Sequence, residues 1–186
     1  MKTEIEARLL DIDEAKFIKQ MKDLNATFVG DWNMSRNVYD LKPVDDNKWM
    51  RLRTNGEETT LTIKEVLDDT IEGTRETEIV VSDFETTDEI LNKLGYFARG
   101  SQTNRRIRYI LDEVEIDIDF WPMIPTYVEF EADSAQKIKD VCKKLGINFE
   151  DLTTMTVPEV YNHYGKPVRT NPPHMFLEEE RAHKKY

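Results

Sequence analysis

Cysteine is nearly absent from this 186-residue sequence, which contains only one, Cys142. A single cysteine cannot form an intramolecular disulfide or a cysteine-based zinc cluster, and its apolar helical neighbours indicate ordinary packing in a core. The sequence also lacks an N-terminal apolar segment and any apolar run close to the roughly 18 residues of a membrane span. We therefore expect a cytoplasmic protein with no membrane partner.

Basic residues are scarce relative to acidic ones, because 26 Lys and Arg against 37 Asp and Glu give a formal net charge of −11. This balance opposes long-range attraction to nucleic acid or to an anionic membrane, so we expect no nucleic-acid partner. Charged residues nevertheless make up 34% of the chain, more than a thin surface layer needs. The composition indicates a polar interior cavity, in which any anion site is a concentrated basic cluster.

Helices are predicted from N-cap residues and apolar periodicity. Asp13, Thr87 and Ser134 each precede an amphipathic stretch, and the last two stretches end near Gly95 and Gly146. A shorter helix is expected in TVPEVYNHYG, where threonine and glutamate have capping-box spacing and proline suits the first turn. The pattern therefore predicts a few amphipathic helices, each with one apolar face to bury.

Between the helices, apolar and charged residues alternate with the period of a β-strand. In VEIDIDF, for example, Asp117 and Asp119 alternate with Ile116 and Ile118. The same pattern occurs in the stretches TEIEARLL, WMRLRT, TLTIKE, RETEIVV, RRIRYIL and YVEFEA. Each strand therefore has an apolar row that needs covering, and the amphipathic helices are available to cover it.

The opposite rows of these strands carry charges of both signs. The acids are Glu4, Glu6, Glu76, Glu78, Asp117, Asp119, Glu129 and Glu131, and the bases are Arg8, Arg51, Arg53, Lys64, Arg106 and Arg108. Stacked carboxylates repel one another and are uncommon on a solvated face, which favours an α+β fold with a closed antiparallel β-barrel, a charged interior and helices packed outside. The alternative is an open sheet with one wet face.

The two sets of charges call for different ligands. Clustered carboxylates are costly unless a cation neutralises them, and all-oxygen ligation suits hard ions such as Mg²⁺ or Mn²⁺. Clustered guanidinium groups match phosphate oxygens two at a time. A metal-bound triphosphate satisfies both sets together, whereas a sugar or a peptide does not.

The ordered set of motifs resembles the CYTH or triphosphate tunnel metalloenzyme superfamily, which includes class IV adenylyl cyclases, thiamine triphosphatases and inorganic triphosphatases. The family's N-terminal Glu-x-Glu-x-Lys strand is matched by Glu4, Glu6 and Arg8, with arginine in place of lysine. RLR, LTIK, RETE, LGY, RRIRY, IDID and VEFE follow in the same order, so the resemblance covers roughly residues 1–165. It implies an eight-stranded antiparallel closed tunnel in which Glu-x-Glu rows hold metals and basic residues grip the triphosphate.

Three positions depart from the family pattern. Arg8 keeps the charge of the family's lysine but cannot become a neutral amine. Asn104 stands where many relatives have lysine, and Asn37 where many have aspartate. Both asparagines can be interpreted as nucleotide-recognising amides or as neutral spacers in a crowded tunnel.

The charged rows and the resemblance together lead us to expect particular site residues. The expected metal ligands are Glu4, Glu6, Asp117, Asp119, Glu129 and Glu131, for Mg²⁺ or Mn²⁺. The expected triphosphate ligands are Arg8, Arg51, Arg53, Lys64, Arg106 and Arg108. Catalytic roles are expected for Glu6, Glu78 and Arg8, with Glu6 or Glu78 orienting the attacking water.

The predicted function is metal-dependent hydrolysis of inorganic tripolyphosphate or of an organic or nucleoside triphosphate. One alternative is a class IV adenylyl cyclase that converts ATP to cyclic AMP and pyrophosphate, and another is a non-catalytic module that binds polyphosphate or a nucleotide. We expect residues 1–165 to form the tunnel domain and residues 166–186 an extended, partly disordered tail. The expected partner is a small-molecule triphosphate, and the protein is expected to be a monomer or homodimer.

Overall fold

The computed structural model describes residues 1–166, so all of the predicted tail except Lys166 lies outside the described residues. In the described part, the strands are β1 (Lys2–Leu9), β2 (Thr27–Asp45), β3 (Lys48–Thr54), β4 (Thr59–Val66), β5 (Thr74–Val81), β6 (Ala98–Leu111), β7 (Val114–Phe120) and β8 (Tyr127–Ala132). They form a closed barrel in the order β1-β5-β4-β3-β2-β6-β7-β8. All neighbouring strands are antiparallel. The predicted eight-stranded α+β barrel is confirmed.

Four α-helices of the described chain pack on the outside of this barrel. They are α1 (Glu14–Asp23), α2 (Phe84–Lys93), α3 (Ala135–Leu145) and α4 (Val157–His163), and a short 3-10 helix spans Phe149–Asp151. The apolar residues of α1 and α3 form one core with the outward rows of β1, β6, β7 and β8. Helix α2 packs on β2 and β3 through Leu91, Tyr39 and Leu52, and α4 packs against Trp121 and Tyr127.

The beginning of α2 differs from the prediction. The helix starts at Phe84 rather than after Thr87, and Asp83 is the N-cap residue whose side chain accepts a hydrogen bond from the Thr86 backbone N–H at 2.7 Å. Thr87 lies in the first turn and its hydroxyl donates to the Asp83 carbonyl at 2.6 Å. Both residue types cap helices, and here the aspartate takes the position because the helix extends one turn further towards the N-terminus.

The longest strand, β2, lies in a segment that the alternating charge pattern had not marked as a strand. It spans Thr27–Asp45 and pairs along its length with β3 and β6. Only one inward basic residue, Arg36, occurs in it, among Met34, Val38 and other neutral residues. A strand with so few charges does not produce the alternation that revealed the other seven.

The outward apolar row of β5 is less covered than expected. Ile79 is 57% exposed and Val80 is 66% exposed, whereas Val81 at the end of the strand packs against the cluster that contains Leu91 of α2. Helices α1 and α3 together cover one side of the barrel, and α2 covers another.

Within the described chain, none of the helices has the length and apolar character needed to cross a membrane.

Candidate functional site

The barrel interior is lined by the charged rows, because alternate residues of each strand point inward. A cavity of about 410 Å³ opens inside the barrel, and its walls include Glu6, Arg8, Arg51, Lys64, Arg106 and Glu129. Many of these side chains are nearly inaccessible to solvent, including Arg8 at 6% and Glu129 at 7% exposure. The structure therefore collects charges of both signs from distant parts of the sequence around one cavity.

Three carboxylates meet on one wall of the interior, formed by β1, β5 and β8. Ligand oxygens of Glu4, Glu76 and Glu131 all lie within 4.8 Å of one another. Burial and the neighbouring carboxylates raise the pKa of Glu131 to about 8. Burial likewise raises the pKa of Glu4 to about 7, although Lys64 opposes the shift. We call these three residues the carboxylate cluster.

The donor set of the carboxylate cluster fits a hard divalent cation. It offers oxygen atoms only, and it concentrates negative charge in a partly buried place where mutual repulsion is costly. The single neutralising side chain of the described residues is Lys64, which donates to both oxygens of Glu4 at 2.7 and 2.6 Å and lies 4.0 Å from Glu76. One ammonium group cannot balance the charge of three carboxylates, so the cluster keeps a net negative charge that a divalent cation would neutralise.

Two of the expected metal ligands, Asp117 and Asp119, lie outside the carboxylate cluster and are bound by arginines. Arg106 donates to Asp119 through Nε at 2.9 Å and through Nη2 at 2.6 Å, and its Nη1 donates to Asp117. Arg108 forms a second bidentate contact with Asp117, both bonds at 2.7 Å. Every close contact of these two aspartates with a cation is therefore made by a guanidinium group.

Glu129 and Glu6 form a neighbouring network around Arg8. Arg8 lies 2.5 Å from Glu129 and 2.9 Å from Glu6, and it also donates to the Met155 carbonyl at 2.7 Å. Burial alone would raise the pKa of Glu129, but Arg8, Arg106 and Lys64 outweigh it and hold that pKa below its usual range. The pKa of Glu6 is lowered in the same way by Arg8 and Lys64, against the effect of burial. Both carboxylates are therefore ionised.

The opposite wall, formed by β2 and β3, is basic. Within residues 1–166, Glu78 is the one carboxylate within 4.0 Å of Arg51 and Arg53, at 3.8 and 4.0 Å. Glu78 accepts a hydrogen bond from the Thr62 hydroxyl at 2.5 Å, and this bond together with Arg53 and Arg51 lowers its pKa although burial opposes the change. The mutual repulsion of the arginines, chiefly with Arg51, and burial lower the pKa of Arg53 to about 10.

Arg36 belongs to the same wall and was not identified from the sequence. It lies opposite Arg53 in the β2–β3 register, and its guanidinium donates to Asn104 Oδ1 at 2.7 Å. The guanidinium carbon stands 4.5 Å from the centre of the Trp121 ring. The alternation of Met34, Arg36 and Val38 in NMSRNVYDL was the available signal, but it contains a single charge. We call Arg36, Arg51 and Arg53 the arginine wall.

The two asparagines that depart from the family pattern have separate environments. Asn37 lies on the outer face of β2, where it donates to Asp88 of α2 at 2.9 Å and accepts from Ser101 at 2.6 Å. The expectation that it lies in the tunnel is therefore wrong, because the neighbouring residue Arg36 takes the inward position. Asn104 does lie inside, bonded to Arg36 and to Asp119 at 2.8 Å.

One mouth of the barrel has a different lining from the centre. Side chains of Trp49, Gln102, Trp121 and Val157 border the cavity there, together with Arg99, which lies 2.7 Å from Asp40 of β2. Trp121 is packed between Arg36 and α4, where its ring lies edge-on to Tyr161. The sequence did not indicate this mixture of aromatic, amide and apolar groups, because it is contributed by four separate segments.

Comparison with known proteins gives a consistent result. The sequence matches the CYTH domain family over residues 2–156. The PH1012 protein of Pyrococcus horikoshii OT3 is similar, with 25% identity and a TM-score of 0.73 over 84% of this chain and 98% of that one. A search of curated proteins found no match.

Two further solved structures share the fold at lower identity. A "putative adenylate cyclase" from Vibrio parahaemolyticus is 14% identical with a TM-score of 0.72, over 87% of this chain and 98% of that one. HpAC1 from Hippeastrum, an adenylyl cyclase by name that is described as having a dominant triphosphatase activity, is 15% identical with a TM-score of 0.58, over 90% and 99%. With its closed eight-stranded barrel and a family match over residues 2–156, this chain belongs to the CYTH domain family.

Proposed function

We propose that this protein is a divalent-metal-dependent hydrolase that removes the terminal phosphate of inorganic tripolyphosphate or of an organic triphosphate. One observation carries the proposal, namely the separation of charge across the interior. The carboxylate cluster occupies one wall of the barrel interior and the arginine wall occupies the other, where among residues 1–166 Glu78 is the only carboxylate within 4.0 Å of these arginines. A metal–triphosphate complex is the kind of ligand that neutralises both walls at once.

Glu4, Glu76 and Glu131 are the residues that would hold Mg²⁺ or Mn²⁺, with Glu6 beside them. When bound, such an ion supplies concentrated positive charge that stabilises developing negative charge on phosphate oxygens. Asp117, Asp119 and Glu129 are better suited to holding Arg106, Arg108 and Arg8 in place, because each already has a short contact with one of these arginines.

The arginine wall would bind the phosphate chain through charge-assisted hydrogen bonds. Arg51 and Arg53 have no short contact with a carboxylate among residues 1–166, so their N–H groups are available to an anion. Arg8, Lys64, Arg106 and Arg108 contribute positive potential around the chain, and they can take up phosphate contacts only by giving up carboxylate contacts. Hydrogen bonds that strengthen as charge develops on the leaving diphosphate lower the barrier to reaction.

A water molecule must be oriented for in-line attack on the terminal phosphorus. Glu6 and Glu78 are the candidates, since both are ionised and both face the interior from β1 and β5. A carboxylate with a lowered pKa is a weak base but a good hydrogen-bond acceptor, so its role is to hold and orient the water. The bond between the terminal phosphorus and the bridging oxygen then breaks, and orthophosphate leaves together with diphosphate.

The decisive experiment is a product panel. Purified protein with Mg²⁺ or Mn²⁺ is given tripolyphosphate, ATP, GTP and thiamine triphosphate, and all products are separated by chromatography. We expect orthophosphate from tripolyphosphate to exceed cyclic nucleotide from ATP or GTP. The triphosphatase activity described for the Hippeastrum protein supports this order by analogy of fold.

A class IV adenylyl cyclase is the second candidate, and the lining of the barrel mouth favours it. A cyclase has to place a nucleoside so that the ribose 3′-hydroxyl can attack the α-phosphorus. Trp49, Gln102 and the groups around them offer aromatic and amide surface next to the arginine wall. Cyclic AMP with stoichiometric pyrophosphate, and no orthophosphate from tripolyphosphate, would decide for the cyclase; tight binding without any product would decide for a non-catalytic binding module.

A further inference from the structure

Arg36 is a buried cation that makes no salt bridge within residues 1–166. The residue is only 7% exposed. The guanidinium donates a hydrogen bond to the Asn104 carbonyl oxygen at 2.7 Å and lies over the face of Trp121 at 4.5 Å, and the Asp119 carboxylate is near enough to act on its charge without forming a salt bridge. Its Nε has no hydrogen-bond partner among the described residues.

This environment is unfavourable in the ligand-free protein. Burial of an unpaired charge is costly, and Arg51, Arg53 and Arg106 add repulsion. Together these effects lower the pKa of Arg36 to about 9, burial being the largest cause, although Asp119 opposes the change. Arg106 provides the internal comparison, since it is equally buried but contacts three carboxylates.

We infer that Arg36 is a third guanidinium ligand of the bound phosphate chain, beside Arg51 and Arg53, and that Asn104 is a positioning residue that aims it. The inference deepens the proposed function, because the anion concerned is the triphosphate that the arginine wall binds. Arg36 borders the same cavity as Arg51, from the neighbouring strand. A phosphate placed there would pair with a buried charge that has no salt bridge to a carboxylate of the described chain.

The amide group of Asn104 explains how the Arg36 guanidinium is held in place while its charge remains available to an anionic ligand. The Asn104 amide accepts from Arg36 through its oxygen and donates to Asp119 at 2.8 Å through its nitrogen. A carboxylate at this position would pair with Arg36 and cancel its charge, and an ammonium would repel it. A neutral amide fixes the direction of the guanidinium while leaving its full positive charge for a ligand.

The test is calorimetric titration of metal-free tripolyphosphate into wild type, Arg36→Gln, Arg51→Gln and Arg105→Gln. Arg105 is the matched control, because it points outward from β6 and its charge is paired with Asp31 at 2.7 Å. We expect affinity to fall about tenfold or more in the first two variants and to stay unchanged in the control. Affinity of Arg36→Gln within twofold of wild type, with Arg51→Gln clearly weakened, would overturn the inference.

Thermal unfolding without ligand separates ligand binding from a structural role. Removing a repelled charge should leave the melting temperature of Arg36→Gln at or above that of wild type, whereas loss of a structural cation lowers it. Arg36→Lys serves as a second variant that keeps the charge without the planar fork, and we expect its affinity for tripolyphosphate to lie between those of wild type and Arg36→Gln. A lower melting temperature in Arg36→Gln together with unchanged binding would assign Arg36 to the fold alone and refute the inference.

A double-mutant cycle tests the role of Asn104. Asn104→Ala should weaken tripolyphosphate binding several-fold in wild type and have no further effect in Arg36→Gln, because Asn104 acts through Arg36. Equal losses in both backgrounds would refute the positioning role. These measurements do not depend on turnover. If tripolyphosphate binds through Arg36 but no orthophosphate is released, the hydrolase proposal is refuted and this inference stands. If orthophosphate is released but Arg36→Gln binds tripolyphosphate as tightly as wild type, the inference is refuted and the hydrolase proposal stands.

Discussion

Lys64 donates hydrogen bonds to both carboxylate oxygens of Glu4, at 2.7 and 2.6 Å, across the wall where β4, β5 and β1 adjoin. The residues are 60 positions apart in the chain. The ammonium neutralises Glu4 and lies 4.0 Å from Glu76, whereas Glu131 has no salt bridge within residues 1–166. This imbalance has measurable consequences for stability and for metal binding.

The first prediction concerns the pH dependence of stability without metal. The pKa of Glu131 is raised to about 8, above the ordinary value of 4.5 that we take for the unfolded chain. Such a group stabilises the folded state fully below pH 4.5, and this stabilisation is lost as the pH rises through about 8. Glu131→Gln lacks this titrating group, so we expect its melting temperature to fall less than that of wild type between about pH 6 and about pH 9. Glu72→Gln, at an exposed position, is the control and should follow wild type; parallel curves for all three proteins would contradict the prediction.

The second prediction identifies the metal ligands. Glu76→Gln and Glu131→Gln should each weaken Mn²⁺ binding strongly and reduce Mn²⁺-dependent orthophosphate release by on the order of 100-fold, because each removes an oxygen ligand from the cluster. Asp117→Asn should change Mn²⁺ binding much less, since Arg106 and Arg108 hold that carboxylate. Calorimetry with Mn²⁺ alone measures the difference. A loss of Mn²⁺ affinity in Asp117→Asn as large as in the two glutamate variants would contradict the prediction, because it would make Asp117 a metal ligand as well.

The third prediction separates two kinds of arginine. Arg106 contacts Asp117, Asp119 and Glu129, and its removal leaves several buried carboxylates uncompensated. Arg106→Met should therefore lower the free energy of unfolding by roughly 3–5 kcal/mol. Arg51→Gln should lower it little, since its nearest carboxylate oxygen is 3.8 Å away. Urea denaturation of both variants at neutral pH makes the comparison, and a similar cost for the two would mean that Arg51 also has a structural role.

The fourth prediction concerns the attachment of α2 to the barrel. Asp88 accepts hydrogen bonds from Asn37 at 2.9 Å, from the Tyr39 hydroxyl at 2.5 Å and from Asn92 at 2.8 Å. Asp88→Ala leaves these donors without their acceptor and should lower the free energy of unfolding by about 1–3 kcal/mol. Affinity for metal-free tripolyphosphate should be unchanged, because the contact lies outside the barrel. A loss of affinity as large as that of Arg51→Gln would show that Asn37 and its partners affect the interior.

Much of the architecture was accessible from the sequence because of the two-residue period of a strand. In VEIDIDF the alternation predicts which side chains share a face of the strand, and this prediction does not depend on which strands pair with it. The same holds for Arg51 and Arg53 in WMRLRT and for the Glu-x-Glu pair in β1. Strand β2 was not predicted from charge alternation, because Arg36 is the single inward basic residue in a largely neutral row. The start of α2 was predicted one turn too late, because Asp83 and Thr87 are both good N-cap residues.

The sequence by itself therefore determined most of the charges that face the interior, with Arg36 as the exception, since inward placement follows from local alternation. The partner of each charge was decided by the tertiary structure. Closure of the barrel brings ligand oxygens of Glu4, Glu76 and Glu131 within 4.8 Å of one another, and strand register places Arg106 against Asp119 but leaves Arg36 without a salt bridge in the described chain. Electrostatic interactions depend on distance and burial, and both are fixed only when strands distant in the chain pair with one another.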